Sequence, residues 1–200
     1  MKEKIKLILP KQTNANYIFE CLELFAICTC IVIALFSFGI RMCVVDGDSM
    51  LKTLENGDVL ITSDVLYEPE QGDVVVFHLS NDYYNKPLIK RVIATEGQWI
   101  DIKTDGNSLK ITIYAAEDTE FKNPQVYKDE HAYYSLLNTG WVGVHEYPVQ
   151  VPAGKIFVLG DNRWDSSDSR SSSVGFVDKR IVFGKVCARL WPIDKVEFYS

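Results

Sequence analysis

The chain has 200 residues, 47% of them hydrophobic and 24% charged, with a net charge of −6. That is enough apolar material for one globular domain plus an appendage, which excludes a disordered chain. The acidic balance, without clustered Lys and Arg, excludes a nucleic-acid surface and leaves polypeptide or lipid as the expected partners.

Lys2, Lys4, Lys6 and Lys11 precede an uncharged run from Leu24 to Ile40, which Glu23 and Arg41 bound. At about 1.5 Å per residue the run makes roughly 25 Å of helix, a little short of a bilayer core of about 30 Å. Tyr17, Ile18, Phe19 and Leu22 extend it on one side; on the other Arg41 can snorkel while Cys43, Val44 and Val45 continue it. A cleaved signal peptide would have a shorter apolar core ending in small residues, and a lipobox would need a small apolar residue where Ile40-Arg41-Met42-Cys43 carries a charge. The run therefore reads as an uncleaved anchor: residues 1–16 precede it, 17–41 form it and 42–200 make an exported domain. The lysines before it, with Asp46, Asp48 and Glu55 beyond it, predict a cytoplasmic N-terminus.

Of the five cysteines, Cys21, Cys28 and Cys30 lie in or at the span, so pairing of Cys43 with Cys187 stays open. No cysteine or histidine has metal-site spacing; His78, His131 and His145 read as surface or packing residues, and no cofactor is expected.

After Asp46 the chain is a succession of short β-branched and aromatic runs between Gly-Asp and Asn-Gly turns. Strands are predicted at 59–62, 74–77, 88–93, 99–102, 109–114, 156–159, 181–186 and 195–199, which makes the exported part mainly β. Residues 103–152 have more charge, several tyrosines and less alternation, and read as an inserted small β subdomain.

Three segments carry chemistry: Gly47-Asp48-Ser49-Met50, Ile89-Lys90-Arg91-Val92, and the polar loop from Gly160 to Arg170 directly after an apolar strand. Alone, each has an ordinary reading as a turn, a surface strand lysine or a solvated loop. Alternation puts Lys90 and Arg91 on opposite faces, however, so at least one of two adjacent cations points to the interior or a cleft. Gly-Asp-Ser also occurs in trypsin-like proteases and GDSL hydrolases. The first would continue with two glycines and have a His earlier in the chain, and the second needs a late Asp-x-x-His; neither context is present.

Taken together and in order, Ser49-Met50 with Thr53-Leu54, Gly72-Asp73-Val74, Lys90-Arg91, and Gly160-Asp161-Asn162 with Ser166-x-Asp168-Ser169-Arg170 resemble the bacterial type I signal peptidases. These are membrane-anchored serine proteases with a Ser-Lys dyad and a β-rich, LexA-like catalytic domain. The resemblance spans the exported part, although residues 103–152 carry no motif of it. It implies that Ser49 is the nucleophile, Lys90 the general base, and Ser166 and Asp168 its support, with Arg91, Asp161 and Arg170 as structural partners. Met50, Met42, Val44, Leu88 and Ile89 would flank an extended substrate. The implied substrates are secretory precursors leaving the protein translocase at the lipid bilayer, cut after signal peptides with an Ala-x-Ala-like end.

The chemistry agrees with that assignment. A lysine can take a hydroxyl proton only when neutral, and at its ordinary pKa only roughly 1 in 250 copies is neutral at pH 8. Burial can lower that pKa by several units, and Pro87-Leu88-Ile89 before Lys90 and Val92-Ile93 after Arg91 supply apolar cover.

Two positions depart from the family pattern. Gly47 stands where some members have a serine in the oxyanion hole, which leaves the Ser49 backbone N–H as the sure donor, and Lys52 stands where proline is usual. Two other readings compete with a peptidase: a catalytically silent or dedicated relative in pilus or surface-protein assembly, which would be expected to have lost Ser or Lys, and a self-cleaving LexA-like repressor, which would need a DNA-binding head in place of 24–40.

Overall fold

A computed structural model describes residues 14–134 and 143–199. The basic run Lys2, Lys4, Lys6 and Lys11, on which the predicted orientation rests, lies outside the described residues. The chain divides into two units, Met1–Gly39 and Ile40–Ser200.

The first unit holds one helix, α1 (Asn14–Phe38). Its stretch Asn16–Ala34 is long and apolar enough to cross a membrane by length and composition, and none of it is buried by the protein. A helix apolar around its circumference needs a lipid or protein environment to cover it. The helix stops before Gly39 and strand β1 (Ile40–Val44) follows at once. Ile40 and Arg41 therefore lie outside the helix, and Cys43–Val45 do not extend it. Arg41 pairs with Asp64 at 3.1 Å, because β1 runs antiparallel to β2 (Val59–Ser63) and brings the two ends together.

The second unit is built from two antiparallel sheets. The remaining strands are β3 (Val74–Ser80), β4 (Asn85–Thr95), β5 (Trp99–Asp105), β6 (Ser108–Tyr114), β7 (Gln125–Val126), β8 (Val149–Gln150), β9 (Lys155–Leu159), β10 (Val177–Asp178), β11 (Val182–Trp191) and β12 (Glu197–Phe198). The larger sheet has the order β1-β2-β11-β3-β4-β9-β10, with β12 also on β11; the smaller has the order β7-β6-β5-β8. Its hairpin β5–β6 turns through Gly106-Asn107, and Gly106 takes the left-handed φ of +60° that a tight two-residue turn asks of its first position.

The apolar runs of β3 and β9 are continuous because both faces of the larger sheet are covered. Val74 and Val76 pack with Met50, Leu54 and Leu60, whereas Val75 and Phe77 pack with Val92, Ile156 and Val158. In β9, Phe157 and Leu159 face Ile100, Ile102, Ile111 and Ile113 of the smaller sheet.

Several boundaries differ from the sequence expectation. The smaller sheet begins at Trp99 rather than at 103, since β5 pairs along its whole length with β6. Strand β11 continues past Val186 to Trp191 through bulges beside Val186 and Arg189, which interrupt the alternation that marks a strand in sequence. The strand expected at 195–199 is only Glu197–Phe198, after a short 3-10 helix Ile193–Lys195. All five cysteines are free thiols.

Strand β4 is paired unevenly along its length. From Asn85 to Lys90 it pairs with β3 on one side only, because β9 joins it from Arg91 onward. Among the described residues, its first half and the outer side of β1 are thus unpaired edges.

Phe157 joins the two sheets, so Phe157→Ala should cost about 3–5 kcal/mol of stability in a urea titration.

Candidate active site

Ser49 sits in the turn that links β1 to β2, and the turn is held from both ends. Leu54 N–H donates to the Met50 carbonyl at 2.9 Å, and Gly47 N–H donates to Asn56 Oδ1 at 3.0 Å. Met50 and Leu54 are buried against Val74 and Val76, which anchors the turn on the larger sheet. The Leu51–Lys52 peptide within it is cis.

Lys90 Nζ donates to Ser49 Oγ at 2.6 Å and to the Ile89 carbonyl at 2.9 Å. Its residue is only 3% exposed. Burial pushes its pKa down from 10.5 to about 8; the carboxylates of Asp168 and Asp161 pull it back up, while Lys86 and Arg170 add to the lowering. A neutral amine can accept the Ser49 proton across the same short distance. The Ser49 backbone N–H makes no hydrogen bond among the described residues.

The loop after β9 folds back onto this pair. A Cβ on Gly160 would lie 2.5 Å from the Ser49 carbonyl oxygen and would collide with the Ser166 side chain, so only glycine permits the approach. Asn162 N–H donates to that carbonyl at 3.0 Å, and Asn162 Nδ2 donates to the Asp48 carbonyl at 3.1 Å. Asp161 accepts from Thr53 Oγ1 at 2.6 Å and from Arg91 Nη2 at 2.6 Å, which ties the turn, strand β4 and the loop to one carboxylate. Asp168 accepts from Arg170 Nε at 2.8 Å and Nη2 at 2.7 Å, and from Gly160 N–H at 3.1 Å. Burial works against its charge, but Arg170, Gly160 and Lys90 outweigh that and hold its carboxyl below the usual carboxylate range.

The structure thus brings Ser49, Lys90, Arg91, Asp161, Asp168 and Arg170 together. Ser166 differs from the expectation that its hydroxyl orients the amine. The bonds of Lys90 run to Ser49 and Ile89, and Ser166 Oγ is buried with no hydrogen-bond partner among the described residues. Beside the pair lies a cleft of about 250 Å³ between the two unpaired edges, lined by Val44, Met50, Leu88 and Ile89 among others. Met42 does not line it: it sits one strand repeat farther from Ser49 along β1, and Cys43 and Val45 take part instead.

Sequence reasoning did not assign roles to Asn162, Thr53, Arg163 or Asp129. Arg163 is buried, pairs with Asp129, and donates through Nη1 to the Gly160 carbonyl at 2.6 Å. Tyr134 Oη donates to Asp129 at 3.1 Å, and Tyr133 pairs with Asn162 in an isolated bridge, so a strap from the 103–152 region closes over the loop. The only sequence signal was the polar loop itself, since these partners are distant in the chain.

A family model described as signal peptidase, peptidase S26, matches residues 18–191. The chain is 35% identical over 183 residues to signal peptidase I of Bacillus caldolyticus, covering 86% of this chain and 91% of that one. It is 32% identical over 166 residues to signal peptidase IB of Staphylococcus aureus strain MRSA252, covering 77% and 79%. The crystal structure of a signal peptidase I from Enterococcus faecalis V583 aligns with a TM-score of 0.41 at 22% identity, over 60% of this chain and 97% of that one.

Burying Lys90 has a consequence for stability. Its folded pKa lies below its unfolded one, so below pH 8 both states are protonated and the burial cost is fully present. Between pH 8 and about 10.5 the unfolded state binds a proton that the folded state does not, and stability rises with pH. Relative to Lys90→Met, the protein should gain up to about 3 kcal/mol across that window. Urea titrations at several pH values that gave parallel curves for the two proteins would contradict this.

Proposed function

This chain belongs to the signal peptidase family, peptidase S26, and we propose that it removes signal peptides by a Ser49–Lys90 dyad. The family is one of serine peptidases acting on secretory precursors. The observation that carries the dyad is the 2.6 Å contact between Ser49 Oγ and a buried lysine whose pKa is lowered to about 8.

In this mechanism the neutral Lys90 amine takes the Ser49 proton while Oγ attacks the scissile carbonyl carbon. The carbonyl π pair moves onto oxygen, and the unengaged Ser49 N–H stabilises that oxyanion, a contribution of about 2.7–4 kcal/mol per donor. The Lys90 ammonium then protonates the leaving amine nitrogen as the C–N bond breaks, which leaves a Ser49 ester. Lys90, neutral again, deprotonates a water that attacks the ester, and the Ser49 oxygen recovers its proton from the ammonium as the signal peptide departs.

The surrounding residues have distinct roles. Asp168 stabilises the ammonium through its charge, and Arg170 keeps Asp168 ionised. The Ser166 hydroxyl, packed beside Gly160 and the Ser49 carbonyl, is a free polar group for the ammonium formed during turnover. Arg91 and Asp161 hold the base strand and the nucleophile turn in register.

The signal-peptide side binds as an added strand between β1 and the first half of β4, with main-chain bonds for affinity. The small apolar cleft of Val44, Met50, Leu88 and Ile89 suits Ala-x-Ala-like ends. Helix α1 anchors the chain in the bilayer with its N-terminus in the cytoplasm, and the catalytic unit acts beside the protein translocase. A silent assembly factor would have no need of the retained Ser49–Lys90 contact.

The detergent-solubilised protein should cleave a precursor bearing an Ala-x-Ala signal peptide, with Ser49→Ala and Lys90→Ala each lowering kcat/KM by at least about 10³-fold. Equal processing by parent and both variants would remove the dyad from the mechanism.

A further inference from the structure

A second cleft, of about 730 Å³, borders the same turn as the small one. Ser49 and Met50 line the small cleft, and Lys52 and Thr53 line this one. The strands beneath continue from one to the other. The cross-strand pair Val76 and Ile89 borders the first cleft, and the pair Val74 and Arg91 borders the second. Residues two apart on a strand share a face about 6–7 Å apart, so the two clefts are successive stations along one face of β3 and β4.

A peptide whose scissile carbonyl is held at Ser49 must leave the site in two directions. One direction is narrow and mostly apolar, with the exposed pair Lys86 and Asp46 at its rim. The other, over the nucleophile turn, is wide and lined by charged groups, which matches the polar start of an exported, water-soluble protein. This reading rests on the peptidase function proposed above.

The charges on these walls are not alike. Arg91 is bonded to Asp161, Lys185 pairs with Asp73 at 2.8 Å, and Arg189 pairs with Asp58 and Glu197. Lys52 has no carboxylate partner among the described residues; its ammonium lies 4.9 Å from the centroid of the Tyr133 ring. A ring face engages one side of an ammonium and leaves its other N–H donors open. Glu70 and Glu130, also on the walls and in no ion pair among the described residues, work against an acidic run, which leaves room for a single carboxylate.

We propose that this cleft binds the precursor residues that follow the scissile bond, and that Lys52 selects an acidic side chain among the first of them. Lys52 is a specificity-determining residue that takes no part in the chemistry.

The test uses the full chain in detergent and fluorogenic peptides with one Ala-x-Ala signal side. Glu, Gln or Lys is placed in turn at each of the first three positions after the scissile bond. At one position Glu should exceed Lys in kcat/KM by about tenfold. Lys52→Gln should flatten that ratio and Lys52→Glu should invert it. Ratios between peptides are read, so a general loss of rate in a variant does not enter, and the series on the parent decides the cleft even if a variant fails to fold. Equal kcat/KM for Glu, Gln and Lys at all positions overturns the cleft, and a Glu preference that persists in Lys52→Glu overturns the role of Lys52. If the parent cleaves no peptide, the peptidase reading itself has failed and this inference falls with it.

Discussion

The structure depends on keeping an amine dry. In the proposed dyad Lys90 can take the Ser49 proton only if it gives up its own near neutral pH, and what lowers its pKa is the loss of water around Nζ. Every element near the site serves that end or limits its cost. Strand β4 buries the side chain, the Ser49 turn covers it, and the loop after β9 seals the remaining side. The carboxylates of Asp168 and Asp161 act in the opposite direction and moderate the shift.

A dry site needs buried charges that compensate one another. Arg91 with Asp161, Arg170 with Asp168, and Arg163 with Asp129 form three cation–anion pairs that are largely buried. Such pairs add little net stability over an apolar core, but removal of one partner strands the other, so they fix geometry. Each pair also joins pieces that the chain keeps apart, or stiffens the loop itself. Asp161 links the Ser49 turn through Thr53 to strand β4 through Arg91, and Asp129 links the strap before Tyr133 to the loop through Arg163. The loop after β9 is thus clamped from two sides.

Much of this was legible in the residues. Ser49, Lys90 and the acidic loop are each ordinary alone, and they stand out only together, because their order in the chain resembles that of a family with a Ser-Lys dyad. The strands around β3, β4, β5, β6 and β9 were readable from β-branched runs between turn residues, and α1 from its length without charge. What escaped reading depends on long-range contacts. Strand β1 was hidden in the apolar tail of the helix, since Ile40 to Val44 become a strand only by pairing with β2. Bulges disguised the second half of β11. Asn162 and Arg163 sat inside a recognised loop, but their partners Ser49 and Asp129 carry no local sign of the contact. That the Ser166 hydroxyl finds no partner among the described residues depends on side-chain placement that no spacing encodes.

The proposed role of Lys90 as a neutral base stands on its burial by the fold. The most direct measurement is an NMR titration of the side-chain Cε resonance of Lys90 in the full-length protein in micelles, assigned by comparison with Lys90→Met. The account predicts a midpoint near 8. A midpoint near the ordinary lysine value of about 10.4 would mean that the amine stays charged at neutral pH, and the base would have to be sought elsewhere.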